Sequence, residues 1–344
     1  MDVRYTPEQA ELRRTARQLA RELGPRTVAD LDDDKRARRL AEAVRDAGWL
    51  ELRDEGEGGP LASGVEAAII AEALGEAVAD ASFAGPVLAA DLVRRAGARL
   101  QGGAVVAFSP DLLDVATVSG PATASPLHVV DAADAASACV LIPEGGGYRL
   151  AIVPVEGARG GADLTRAVRE IPAGVRPAAV PGPSRLLGSA DLDAWRALGL
   201  ALTCADLVGS MRGVIELTVA YARERKQYGV PIGSFQAVQH LLAEAQTLME
   251  GASSVALHPS WAADDLAPEP ARHAGRVAKA YCARAARTVC ETAVQVHGGM
   301  GNTWDCIVHV YLRRALLSSR WFGDDGEQLR QLERTRLGVT HGLS

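Results

Sequence analysis

Arg225-Lys226-Gln227-Tyr228-Gly229-Val230-Pro231-Ile232-Gly233-Ser234-Phe235-Gln236, written RKQYGVPIGSFQ, is the stretch on which the fold turns. Gly229, Pro231 and Gly233 make it a tight loop between two apolar periods of helical spacing. Before the loop, Leu207, Met211, Val214, Ile215, Thr218 and Ala222 share one face of a helix that ends near Lys226. After it, Phe235, Val238, Leu241, Leu242, Ala245, Leu248 and Met249 share one face of the next. A third long helix spans about Ala271 to Val296 and a fourth about Cys306 to Ser319. Between these two lies a second glycine-rich turn, Gln295-Val296-His297-Gly298-Gly299-Met300-Gly301-Asn302-Thr303-Trp304 (QVHGGMGNTW).

Both turns suit an anionic, nucleotide-like ligand. Arg225 offers a planar fork to a pyrophosphate, which a lysine point charge does not. Gly298, Gly299 and Gly301 let backbone N–H groups approach a ligand with no Cβ in the way. Gln236 and Gln295 can both donate and accept at an adenosine edge or a ribose.

Outward from the bundle the texture changes. Residues 102–188 hold short apolar runs (GAVVAFSP, HVV, ACVLIP, YRLAIVPV) separated by Gly, Pro and Asp, which reads as a small antiparallel β-domain. Residues 1–101 read as helices, the first capped by Thr6 with Gln9 three residues on. The expected class is α+β, with an N-terminal helical domain (1–101), a middle β-domain (102–188) and a C-terminal four-helix bundle (189–344).

With 344 residues, 48% of them hydrophobic, the chain can bury a sizeable core. Its net charge of −6 disfavours a nucleic-acid partner. Apolar runs are broken by Arg, Asp or Glu, so no membrane span is expected. Five scattered cysteines without metal-ligand spacing read as buried thiols of a reducing cytoplasm.

The two motifs and the α–β–α order resemble the acyl-CoA dehydrogenase family, whose usual forms are R-x-x-F/Y-G-x-x-I-x-x-F-Q-x-V-x-H and Q-x-x-G-G-x-G. The resemblance implies FAD as cofactor and an acyl-CoA substrate. It also implies that Arg225, Tyr228, Gln236, Gln295, Gly298 and Gly299 reach across a subunit interface to the ADP half of a neighbour's FAD.

Against the family pattern, the proton-abstracting glutamate is missing. One usual location falls at Trp321-Phe322-Gly323 and the other at Gly199, and neither side chain can accept a proton. The flavin-ring loop that usually follows the first β-strand is replaced by Ser109-Pro110-Asp111-Leu112-Leu113. No catalytic residue is therefore assigned. The pattern resembles the short partner in actinobacterial α2β2 heterotetramers that oxidise steroid side-chain CoA thioesters, where a longer subunit carries the glutamate. Phe322 and Trp321 are expected to line or plug the vacated pocket.

Other acidic and imidazole groups have structural readings. Asp305 is expected at a helix start, Asp324 and Asp325 in a solvated turn, and His240 and His297 in packing roles. Two alternatives stay open: a homo-oligomeric flavoenzyme using Asp305 or Asp324 as base, and a cofactor-free scaffold or nucleic-acid binder.

Overall fold

The computed structural model describes residues 4–100, 102–132, 135–156 and 160–337. Four helices come first: α1 (Pro7–Leu23), α2 (Asp34–Asp46), α3 (Gly64–Glu76) and α4 (Ala84–Arg95). α1 begins where the sequence places it, with Gln9 N donating to Thr6 Oγ1 at 3.2 Å and Thr6 N donating to Gln9 Oε1 at 3.1 Å. Ser63 and Glu66 form the equivalent box on α3.

Six strands follow: β1 (Ala104–Phe108), β2 (Leu127–Val129), β3 (Ser137–Glu144), β4 (Gly147–Pro154), β5 (Arg169–Ile171) and β6 (Ala178–Ala179). They form one sheet in the order β5-β2-β1-β3-β4-β6. The sheet is antiparallel except between β1 and β3, where Val105 pairs with Ala138 in parallel. β2 pairs antiparallel along one edge of β1, and β3 pairs in parallel along the other. Alternation along the strands gives two buried faces. Val105, Ala107, Ala138 and Val140 pack within the β-domain, while Val106, Phe108, Cys139 and Leu141 pack toward the helices.

The remaining helices are α5 (Ser189–Glu224), α6 (Gln236–Asp265), α7 (Pro268–His297), α8 (Val308–Arg320) and α9 (Asp325–Arg336). α5 is the central element, packed against α3, α6, α7 and α8. Asp206, Arg212 and Glu216 interrupt the apolar residues of α5, as the sequence shows. α5 is long and apolar enough to cross a bilayer, but 94% of its most apolar window is buried among the other helices. α3 crosses it at backbone contact: a Cβ added to Gly209 would lie 2.0 Å from the Glu72 carbonyl oxygen.

Buried charges tie the layers together. Asp206 on α5 accepts from Arg314 Nη2 of α8 and from Arg166 Nη2 of the loop before β5, each at 2.7 Å, and from Ser318 Oγ at 2.6 Å. These cations hold the Asp206 carboxyl far below its usual range despite burial. Lys279 on α7 is fully buried and donates from Nζ to the carbonyls of Ser318 and Trp321 at the end of α8.

Candidate cofactor-contact site

Arg225 is the residue at which α5 stops. Its N–H still donates to the Tyr221 carbonyl at 2.8 Å, while its own carbonyl accepts from Ile232 N at 2.8 Å. Gln227 and Val230 pair as an antiparallel ladder, leaving Tyr228 and Gly229 as a two-residue turn with φ of +51° and +82°. Positive φ at both central residues is the hairpin turn that favours Asn-Gly, so Tyr228 sits in a strained conformation. Its side chain is 95% exposed.

The glycine-rich turn lies at the same end of the bundle. α7 ends at His297, and Gly298 takes φ +60°, with its N–H returned to the Gln295 carbonyl. Tyr221 stacks on His297 with centroids 4.1 Å apart, and Ala222, Ile232 and Val296 form a small buried cluster joining the two turns. A Cβ on Gly298 or Gly299 would meet nothing within 4 Å, whereas on Gly301 it would lie 2.6 Å from the Val294 carbonyl oxygen. Gly301 is thus needed for packing, and the other two face open space.

All six residues singled out in the sequence are exposed here. Among the described residues, the Arg225, Gln236 and Gln295 side chains make no hydrogen bond or ion pair within the chain. Phe235 and Leu241 were expected on a buried face of α6, yet each remains 37% exposed, and His240 is exposed rather than packed. Buried positions on that face begin only at Ala245 and Met249, while Val238 and Leu242 are partly buried against Ala222, Ile232 and Val296.

Beside the glycine turn, Tyr221, Glu224, His297, Met300, Asp305 and Ile307 line a groove of about 360 Å³. His297 meets the Ala293 carbonyl through Nδ1 at 2.9 Å, which makes Nδ1 the donor and leaves Nε2 an acceptor. Burial holds its pKa below the ordinary value. Asp305 is exposed and does not cap α8, whose first turn follows Ile307 without a side-chain cap. Asp324 caps α9, accepting from Glu327 N at 2.9 Å.

The two positions expected to hold a base, Gly199 and Phe322, touch each other. Phe322 is buried at φ +64° and packs against Phe108 (centroids 5.4 Å), Trp195 (5.2 Å) and Trp321 (6.0 Å). Its ring lies directly over the Gly199 Cα. Its N–H donates to the Leu112 carbonyl at 2.9 Å, so the loop after β1 closes onto this aromatic box. Residues 109–114 thus lie against the box that contains both positions. The Asp206 cluster and Lys279 beneath it are absent from the sequence reading; a lone lysine in the small-residue run of α7 is the one signal that could have been noticed.

Two family descriptions match the chain: acyl-CoA dehydrogenase N-terminal domain over residues 6–101 and acyl-CoA dehydrogenase C-terminal domain over residues 198–337. The chain belongs to the acyl-CoA dehydrogenase family. It is 33% identical to acyl-CoA dehydrogenase IpdE2 of Mycolicibacterium smegmatis over 171 residues, half the length of each chain. It is 29% identical to acyl-CoA dehydrogenase IpdE2 of Mycobacterium tuberculosis over 345 aligned positions, covering 95% of this chain and 97% of that one. Its fold matches a chain of the ChsE4-ChsE5 complex from Mycobacterium tuberculosis with a TM-score of 0.76 at 22% identity, covering 99% and 100% of the two chains. In this member of the family, aromatic side chains fill the place where the sequence pattern led to the expectation of a carboxylate.

Proposed function

We propose that this chain is a non-catalytic subunit of a heteromeric, FAD-dependent acyl-CoA dehydrogenase. In this reading it introduces a double bond into an acyl-CoA thioester only together with a longer partner that supplies the glutamate. Phe322 and Gly199 carry the reading: neither side chain can take a proton, and their contact leaves no room between them for a group that could. The steroid side-chain class of substrate and the α2β2 assembly are the finer parts of the proposal. A cytoplasmic location fits the five free thiols.

The residues present fit one half of FAD and not the other. Arg225, Tyr228, Gln236 and Gln295, with the open backbone at Gly298 and Gly299, would hold the ADP half of a dinucleotide bound mainly by the partner. When bound, FAD supplies the hydride acceptor. This chain's part is to neutralise the pyrophosphate with Arg225 and to present N–H donors without a blocking Cβ. The ring-holding half does not fit, because residues 109–114 close onto the aromatic box. The division at residues 101 and 188 into helical, strand and bundle domains belongs to the same proposal.

A homo-oligomeric enzyme with an aspartate base has less support. Asp324 is used as a helix cap, and Asp305 lies by the glycine turn, at the opposite end of α5 from the box. The net charge of −6 disfavours the nucleic-acid reading.

The test is co-expression with a full-length family member bearing the glutamate. The chain alone should purify without visible flavin absorbance, and the complex should be yellow. Arg225→Ala in the complex should weaken FAD retention by about tenfold or more. Stoichiometric flavin in the isolated chain would sink the proposal.

A further inference from the structure

The groove beside the glycine-rich turn has a charge character opposite to that of the ADP-facing residues. α5 ends at Glu224 and α7 ends at His297, so the carbonyl ends of two helices meet there. A helix C-terminus carries roughly half a negative charge, which favours a nearby cation and disfavours a carboxylate. Glu224 nevertheless stands on the last turn of α5, and Asp305, from the segment before α8, lines the same groove. Among the described residues, neither carboxylate makes a hydrogen bond or an ion pair, and no Lys or Arg lines the groove.

His297 adds an independent observation. It is only 6% exposed, and its ring is fixed by the stack on Tyr221 and by Nδ1–H donating to the Ala293 carbonyl at 2.9 Å. Nε2 is thereby left as an acceptor in the wall of the groove, and among the described residues nothing donates to it. Such an acceptor is satisfied by a donor from outside the chain. Leu217, Met300 and Ile307 supply apolar surface in the same groove.

We propose that this groove binds a small organic dication with an apolar stem, of the alkyl diamine or guanidinoalkylamine class. One N–H donates to His297 Nε2, the two positive charges meet Glu224, Asp305 and the helix ends, and the methylenes lie on Leu217, Met300 and Ile307. The groove, about 360 Å³, has room for such a molecule. The site is distinct from the one that faces the ADP half of FAD, since none of Arg225, Tyr228, Gln236, Gln295, Gly298 and Gly299 lines it. It does not depend on the proposed function, because every group it uses belongs to this chain.

The experiment is a calorimetric titration of the full chain, without partner or flavin, with agmatine at constant ionic strength. One saturable event is expected, weakened by about tenfold or more in His297→Phe, which keeps the stack on Tyr221 and removes Nε2. Asp305→Asn and Glu224→Gln should each weaken it by roughly two- to fivefold. Both carboxylates are exposed and make no internal bond, so neither change unfolds the chain. No saturable event, or one of equal affinity in wild type and both of these variants, would overturn the site. Hexamethonium, a dication with no N–H to give, should compete poorly. Equal competition, or unchanged affinity in His297→Phe, would refute the bond to Nε2. Acetylarginine amide binding as tightly as agmatine would assign the groove to a protein side chain and end the small-molecule assignment.

Discussion

Lys279 Nζ donates to the Trp321 carbonyl at 2.8 Å, carrying an ammonium group into the core with no carboxylate bonded to it. Desolvation brings the lysine down to about 8 from an ordinary 10.5. Below pH 8 both folded and unfolded chains hold the proton, and the cost of burying it is fully present. Between about pH 8 and 9 the folded chain releases a proton that the unfolded chain keeps, so stability rises by up to ~1.4 kcal/mol per pH unit.

Above pH 9 the sign reverses. Burial pushes the Cys139 and Cys290 thiols up to about 12, and Cys282 is raised by its contact with Cys204 together with burial, so the unfolded chain loses protons that the folded chain retains, three thiols against one lysine. Urea midpoints measured against pH should therefore peak near pH 9. Lys279→Met should remove the rise before the peak; a rise unchanged in that variant would refute the assignment.

Asp206→Asn should destabilise the chain by about 3–5 kcal/mol, because it leaves Arg166 and Arg314 buried without their counter-charge. The folded pKa of Asp206 is depressed, so its contribution is present above about pH 4, the unfolded carboxylate value, and is lost as pH falls toward the folded one. Wild type and variant should converge in acid-unfolding curves toward low pH. A constant gap down to the lowest pH would contradict this.

Tyr228→Gly should raise the melting temperature of the isolated chain by releasing the left-handed strain at φ +51°, an effect on the order of 1 kcal/mol. The same change should weaken assembly with the proposed partner subunit, since a 95% exposed aromatic ring is lost from the face that carries Arg225. Differential scanning of the single chain and dilution of the complex measure the two effects. An unweakened complex would remove Tyr228 from the interface.

Phe322→Ala should cost about 3–5 kcal/mol by emptying the aromatic box. Gly199→Ala should cost at least ~1–3 kcal/mol, because the new Cβ would lie 2.1 Å from Phe322 Cζ. The double variant should be less destabilised than the sum, since each change makes room for the other. Strict additivity in denaturant titrations would mean that the ring and Gly199 do not compete for the same space.

What the sequence discloses is local. The Thr6–Gln9 box, the loop at residues 225–236 and the glycine turn are all set by neighbours a few residues apart, and each lies where the residues place it. α9 is not visible beforehand because its residues are charged and carry no apolar period; Gln328 is its one buried side chain. The parallel β1–β3 pairing and the Asp206 cluster join distant segments, with Arg314 lying 108 residues beyond Asp206, so no local period signals them. That Phe322 replaces an expected base is readable; that its ring fills the other vacated position is not, because only the folded chain brings them together.

The aromatic box also bears on how such a chain can change over generations. An acid introduced at Gly199 meets a ring already in its place, and an acid introduced at Phe322 enters an apolar enclosure on left-handed backbone. Each option bars the other, so an acid at either position meets a packing cost before any gain of chemistry. In the proposed heteromer, reliance on a partner's carboxylate is held in place by steric exclusion as well as by missing groups.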